Sequence, residues 1–78
     1  MTRRGKLIEK ARQHPNGLDY AELQVLLEQC GWQKRRQAGS HELWYSPQGF
    51  RLPIQRGENG QAKGYQVKQF LKRWEQEQ

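Results

Sequence analysis

The chain has 78 residues, which is enough for one domain with a thin hydrophobic core. Its 14 Lys and Arg residues against 8 Asp and Glu residues give a formal net charge of +6, and 33% of its residues are hydrophobic. The length predicts a single domain, and the lack of a long apolar run predicts no membrane span. The positive charge favours a polyanionic partner, either a nucleic acid or an acidic protein, although simple solubility explains it too.

Cysteine usage and the first residues indicate the compartment. Cys30 is the only cysteine, so it cannot form an internal disulfide, and no spacing of Cys and His resembles a metal site. Residues 1–6 are basic, but charged positions follow them instead of the apolar core of a signal peptide. We therefore expect a cytoplasmic protein that requires neither a metal nor another cofactor.

The first predicted helix covers residues 3–13, where Leu7, Ile8 and Ala11 form a narrow apolar stripe. His14 and Pro15 follow, then Asn and Gly, which together end the helix. We expect His14 to lie in solvent at this helix end, which is a structural position rather than a catalytic one.

The second predicted helix begins at Asp19, which forms a capping box with Glu22. Gly31 ends this helix because glycine adopts the left-handed conformation readily. The apolar face consists of Tyr20, Leu23, Leu26, Leu27 and Cys30. The position of Cys30 on that face predicts a buried structural thiol rather than a nucleophile.

Three short strands are predicted at residues 33–37, 41–45 and 50–55. The short turns between them predict an antiparallel meander, and Pro53 marks the last strand as an edge. In the middle strand, Leu43 and Trp44 point to opposite sides of the sheet, and we expect Leu43 to face the core.

A final helix is predicted from about Tyr65, and its last residues, 75–78, are expected to fray. Its apolar stripe consists of Val67, Phe70, Leu71 and Trp74. The fold class is therefore α+β, with the order α-α-β-β-β-α. We expect a three-stranded antiparallel sheet with two helices packed on one face and the other face free.

Basic and aromatic residues near the predicted strands form a pattern that suits RNA binding. The RNA-binding candidates are the cations Lys34, Arg35, Arg36, Arg51, Lys63 and Lys68, the turn residue Ser40, and the aromatic residues Trp44 and Tyr45. In such a surface the cations contact phosphate and an aromatic ring stacks on a base. A solvated basic face explains the same residues equally well.

Gly39, Ser40 and His41 place an imidazole where a tight turn meets a strand. Cleavage of RNA by its own 2′-hydroxyl needs a base, an acid, and cations for the developing charge, and an imidazole with Lys and Arg supplies these. A lone histidine in a strand is, however, more often structural. We expect Ser40 to orient the turn, whereas Glu42 lies on the strand face opposite His41, which leaves the proton partner of His41 unidentified.

Several short motifs, in matching order, resemble the HicA family of bacterial toxins. They are Gly31 with Trp32, Arg36 with Gln37, the Gly39, Ser40 and His41 triplet, and residues 63–67. The resemblance covers roughly residues 19–74. It implies a fold like the double-stranded-RNA-binding domain, mRNA interferase activity, a HicB-like antitoxin partner, and His41 as the catalytic residue. It also divides the chain into an N-terminal helical extension, 1–17, and a HicA-like RNA-binding and nuclease domain, 18–78.

Three hypotheses for function follow. The first is a metal-independent endoribonuclease that binds single-stranded mRNA and uses His41 for proton transfer. The second is a non-catalytic RNA-binding module of the same fold, and the third is a protein-interaction module with an acidic partner. DNA binding is less attractive because no helix-turn-helix pattern is present. The basic first helix either covers an apolar edge, which we rank first, or extends the surface for RNA or antitoxin.

Overall fold

Three α-helices and three β-strands follow one another in a computed structural model that describes residues 2–78. They are α1 (Arg3–Gln13), α2 (Tyr20–Gln29), β1 (Gln33–Ala38), β2 (His41–Tyr45), β3 (Arg51–Gln55) and α3 (Gly64–Gln76). The predicted α+β class and the order α-α-β-β-β-α are confirmed. Met1, the first residue of the predicted extension, lies outside the described residues. Within residues 2–78, no helix has the length and apolar character that crossing a membrane requires.

The sheet is an antiparallel meander with the strand order β1-β2-β3. Gly39 and Gly49, with φ values of +61° and +90°, allow the two tight turns that join the strands. In the β2–β3 pairing, His41 lies opposite Gln55 and Tyr45 lies opposite Arg51. The β1–β2 pairing is shifted between Lys34 and Arg36, where β1 has a bulge.

The hydrophobic core lies between the helices and one face of the sheet. Leu52 and Ile54 of β3 are buried in it together with residues of α2 and α3. Trp32, just after α2, packs edge-on against Phe70 of α3, with ring centroids 5.2 Å apart. The alternation along β3 therefore places every second side chain against the helices, and the intervening ones on the opposite face.

The orientation of β2 is the reverse of our expectation. Trp44 pairs with Leu52 and faces the helices, where it is 2% exposed, whereas Leu43 lies on the opposite face. The indole buries more apolar area than a leucine does, and its Nε1 donates a 3.0 Å hydrogen bond to Glu42 on the same face. Leu43 is also only 6% exposed, so both side chains are buried although they lie on opposite faces of the sheet.

The helix α1 packs on the helical layer. Its three apolar residues, Leu7, Ile8 and Ala11, are buried in the same core as the residues of α2 and α3. Lys10 bridges to Glu22 of α2 at 2.8 Å, and the helix also contacts α3. This helix therefore covers apolar surface that α2 and α3 alone would leave in water.

The C-terminal residues are held more firmly than we expected. Ser46 Oγ donates a 2.6 Å hydrogen bond to the Glu77 carboxylate, and Arg73 Nε donates another at 2.8 Å. The Arg73 guanidinium also lies 4.8 Å from the centre of the Phe50 ring. The expected fraying of residues 75–78 is therefore wrong at Glu77, because contacts with the β2–β3 turn anchor its side chain.

Candidate functional site

The sheet face opposite the helices carries the candidate site, and we call it the open face. Strand alternation and register place on it Gln33, Arg36, Ala38, His41, Leu43, Tyr45, Arg51, Pro53 and Gln55. None of these residues belongs to the core shared with the helices. The face has two arginines and no carboxylate, because Glu42, the acidic residue of β2, points towards the helices. Its charge therefore favours an anionic ligand.

His41 is the first residue of β2 and is exposed. The turn before it contains Gly39 in the left-handed conformation, so the strand starts abruptly at His41. Its neighbours across the sheet are Ala38 of β1 and Gln55 of β3. The imidazole is thus accessible at one end of the open face.

A hydrogen-bonded chain of side chains lies beside His41. Lys63 Nζ donates to Gln55 Oε1 at 3.0 Å, and Gln55 Nε2 donates to Ser40 Oγ at 2.9 Å. The backbone N–H of Gln55 in turn donates to the buried Gln66 Oε1 at 2.9 Å. The turn before β2, the end of β3 and the start of α3 therefore meet next to His41, and bring an ammonium group close to it.

The other end of the open face holds cations around an aromatic ring. The Arg35 guanidinium carbon lies 5.5 Å from the centre of the Tyr45 ring, and Arg51 lies directly opposite Tyr45 on β3. Arg36 lies between the two ends, opposite Leu43. The open face thus combines an exposed imidazole at one end with arginines over the rest of its length.

A family model described as the HicA toxin of bacterial toxin-antitoxin matches residues 20–75, which is most of the chain. The chain belongs to the HicA toxin family. It is accordingly a toxin of a toxin–antitoxin system, with an antitoxin as its partner. Neither the curated proteins nor the solved structures that were compared with it gave a match.

The matched region of this HicA chain contains the whole open face. It begins at the first residue of α2 and ends within α3, so α1 lies outside it. His41, the Lys63 to Ser40 chain of hydrogen bonds and the arginines all belong to the part that the family shares.

Trp44, Lys34 and Lys68, which the sequence predicted as RNA-binding residues, lie away from the open face of the HicA chain. Trp44 is buried, so it has no free ring surface on which a base could stack. Lys34 pairs with Trp44 on the side of the helices, and its Nζ lies 3.9 Å from Glu42 Oε2. Lys68 is exposed on α3, in the helical layer. We predicted these residues because they are close to the other candidates along the chain. Proximity along the chain, however, does not determine on which face of the sheet a side chain lies.

Gln55 is the site residue that our reading of the sequence missed. The signal was present in the hairpin, because β2 and β3 pair symmetrically about Gln48 and this symmetry places Gln55 opposite His41. A glutamine at the end of a strand carries no charge and no group that is typical of catalysis, so its residue type alone does not predict a place in the site. Its contact with Lys63 depends on where α3 begins, which the strands do not determine.

The surroundings of Glu42 in the HicA chain indicate a role in the fold rather than in the candidate site. Burial acts to raise the pKa of its carboxyl, but hydrogen bonds from Gln24 and Trp44 outweigh this effect and leave the pKa below its ordinary value. Burial and the charge of Glu42 raise the pKa of Tyr20 to about 12. Glu42 is therefore an ionised acceptor on the strand face opposite His41, as the strand alternation predicted. That face is the one against the helices, because the orientation of β2 is the reverse of our expectation.

The remaining candidates for chemistry lie apart from the open face. His14 is exposed at the C-terminal end of α1, as predicted. Cys30 is half-buried at the end of α2, and burial raises the pKa of its thiol, so the reactive thiolate is disfavoured. Among residues 2–78, no three His, Cys, Asp or Glu side chains are grouped in a way that could hold a metal ion.

Proposed function

We propose that this HicA chain is an endoribonuclease, an mRNA interferase that acts in the cytoplasm, with His41 as its general acid and base. The observation that carries the proposal is the exposed His41 on an open face without carboxylates, beside a lysine that donates a hydrogen bond to Gln55, in a chain of this toxin family. The antitoxin partner is then a HicB-like protein that keeps RNA away from the open face.

The chemistry uses the substrate's own 2′-hydroxyl as the nucleophile. His41 removes the proton from this hydroxyl, and O2′ attacks the adjacent phosphorus while the bond from phosphorus to O5′ breaks. The leaving O5′ takes up a proton, and the products are a 2′,3′-cyclic phosphate and a 5′-hydroxyl. Lys63 and the arginines stabilise the charge that develops on the phosphate oxygens. No step of this reaction requires a metal or another cofactor.

A second function, a non-catalytic RNA-binding module of the same fold, is favoured by one observation. Glu42, the nearest carboxylate in sequence, faces the helices, so it is not available as a second acid or base for His41. In this alternative His41 contacts phosphate, and its loss weakens binding without abolishing a reaction.

The test is cleavage of a mixed-sequence RNA in EDTA by the wild-type protein and by His41→Ala. We expect the wild type to cut and His41→Ala to lose about 10²-fold or more of the rate, as removal of a general acid or base does. His14→Ala is the matched control, because it removes an exposed histidine at the end of α1, outside the open face, and should leave the rate unchanged. Circular dichroism must show that both variants are folded.

The outcomes separate the two functions. If the wild type binds RNA in a salt-sensitive way but cuts none, the nuclease proposal fails and the binding module replaces it. If both histidine variants cut as fast as the wild type, then the reaction does not use His41. Chelation that abolishes wild-type cleavage would contradict the metal-independent mechanism.

A further inference from the structure

The end of the open face farthest from His41 has its own cluster of planar groups. Tyr45 is the last residue of β2, four positions from His41, which corresponds to about 13 Å along a strand. The Arg35 guanidinium lies over its ring, 5.5 Å from the centroid, and Arg51 lies opposite it on β3. These three residues form what we call the Tyr45 cluster.

The bulge in β1 explains why Arg35 reaches the Tyr45 ring. Lys34 and Arg36 are paired with neighbouring residues of β2, so Arg35 between them has no partner across the ladder. Such an extra residue is freed from strict alternation and its side chain is redirected. The bulge thus adds a third arginine to the open face beside Arg36 and Arg51.

Within residues 2–78, neither arginine of the Tyr45 cluster forms an ion pair with an acidic side chain. The ion pairs formed within residues 2–78 use Lys10, Arg12, Lys34 and Arg73 as their cations. Arg35 and Arg51 are absent from these pairs and both are exposed. Their guanidinium groups are therefore available to an anionic ligand, and phosphate suits the planar, multiply donating guanidinium particularly well.

The space beside Arg51 is concave. A groove of about 410 Å³ runs between β3 and α3, and its lining includes Phe50, Arg51, Pro53 and Lys72. Apolar walls next to cations provide room for a ring system and for the phosphate attached to it. This groove lies along the β3 edge, between the sheet and α3, and Arg51 borders both the groove and the open face. It is a second feature, independent of the contact between Arg35 and Tyr45, that favours a nucleotide beside Arg51.

We propose that Arg35, Tyr45 and Arg51 form a nucleotide-binding subsite that selects single-stranded RNA. An unpaired base stacks on the planar groups of Arg35 and Tyr45, and Arg51 binds the adjacent phosphate. The inference rests on the proposed function, since the same strand then reaches His41 with the phosphate that is cut. Duplex RNA does not fit this subsite, because its bases are already stacked and paired within the helix.

The test measures binding without cleavage. The probe is a fluorescent single-stranded octanucleotide with 2′-O-methyl groups, which cannot undergo attack by O2′, and its affinity is read from fluorescence anisotropy. Tyr45→Ala should weaken binding about tenfold, the usual effect of losing one stacking platform. Tyr45→Phe keeps the ring and should bind like the wild type. Equal binding by Tyr45→Ala and Tyr45→Phe would overturn the stacking role.

Two further variants separate charge from shape. Arg35→Lys keeps the positive charge but loses the flat guanidinium, so we expect weaker binding than in the wild type. Lys6→Gln removes one positive charge from an exposed position on α1, away from the sheet, and should change binding little. If Lys6→Gln weakens binding as much as Arg35→Lys does, a general charge effect replaces the subsite. A duplex of the same sequence that binds as tightly as the single strand overturns the proposed selectivity.

A cleavage assay with unmodified RNA distinguishes a failure of this inference from a failure of the proposed function. If the wild type cuts no RNA but Tyr45→Ala still weakens octanucleotide binding, the subsite stands and the nuclease proposal fails. If the wild type cuts RNA while Tyr45→Ala changes neither binding nor KM, the subsite fails and the nuclease proposal stands. Absence of octanucleotide binding by the folded wild type overturns the subsite directly.

Discussion

At the scale of single residues, Gln55 does more for the candidate site than its type indicates. Its amide both accepts a hydrogen bond from Lys63 and donates one to Ser40, so it links α3 to the turn that precedes His41. An amide performs this double role because it has an acceptor and a donor on one group. Gln55 therefore positions two groups beside His41 without itself providing a proton or a charge.

Replacement of Gln55 by Ala tests this positioning role. We expect the kcat for RNA cleavage to fall about tenfold, which corresponds to the loss of one charge-assisted hydrogen bond, while KM changes little. Gln29→Ala, at an exposed position at the end of α2, is the matched control and should cut like the wild type. Unchanged kcat in a folded Gln55→Ala protein would show that the linkage has no role in catalysis.

Glu42 makes the stability of the protein depend on pH. Its pKa in the folded state lies below the ordinary value of 4.5, so the unfolded chain binds the proton more readily. Its contribution to stability is thus complete above the ordinary carboxyl range and is lost as the pH falls through the folded pKa. Glu22 and Glu77, whose pKa values are also lowered, act with the same sign.

Glu42→Gln should lower the free energy of unfolding at neutral pH by about 1–3 kcal/mol, because the side-chain donors of Gln24 and Trp44 lose a charged acceptor. The variant should also lose less stability than the wild type on acidification. Urea denaturation at neutral and acidic pH measures both effects. Glu28→Gln, at an exposed position of α2, provides the control. Parallel pH profiles for wild type and Glu42→Gln would contradict this assignment.

At the scale of elements, α1 is part of the folded core although it lies outside the region that the family shares. Three of its side chains are buried against α2 and α3, and Lys10 and Arg12 form ion pairs with those two helices. Ion pairs between exposed side chains contribute little, so the apolar stripe accounts for most of the attachment. In a chain this short, that added burial is a substantial part of the total stability.

Ile8→Ala measures the contribution of α1. Removal of a buried isoleucine side chain costs about 2–5 kcal/mol, and we expect a correspondingly lower melting temperature. Lys6→Ala on the same helix changes an exposed position and should have an effect within about 0.5 kcal/mol. Thermal unfolding followed by circular dichroism compares the two. If both variants melt with the wild type, α1 packs too loosely to stabilise the domain.

At the scale of the whole molecule, the net charge of +6 is distributed unevenly. Four carboxylates pair with cations, and one of these, Glu42, points towards the helices, whereas the open face has arginines and no acid. Such a separation of charge favours an anionic ligand on the sheet face that carries His41. The composition gives only the net charge, whereas the fold determines which face of the molecule carries the unpaired cations.

The salt dependence of RNA binding tests this separation. Each phosphate contact on a single strand contributes about −0.7 to the slope of log K against log salt concentration, so Arg36→Gln should make the slope shallower by about 0.7. Lys6→Gln removes the same charge from α1 and should leave the slope unchanged. Anisotropy titrations at several salt concentrations provide the slopes. Equal slopes for both variants would mean that the RNA does not select the open face.

The sequence by itself determined the elements and the family. Capping residues, glycine turns and apolar periodicity are local signals, and they predicted three helices, a three-stranded meander and their order. The short motifs around Gly39, Ser40 and His41 indicated the HicA family, which the family model confirmed. These predictions succeeded because each depends on residues that are close together along the chain.

Only the tertiary structure decided which face each side chain of β2 occupies and which residues meet beside His41. Leucine and tryptophan are both apolar, so residue type did not decide between Leu43 and Trp44. In the fold, the orientation with Trp44 against the helices lets Gln24 and the indole both donate hydrogen bonds to Glu42. The contact between Gln55 and Lys63 likewise depends on where α3 meets the end of β3. Both outcomes come from the packing of separate elements, and that packing energy is not contained in any one segment.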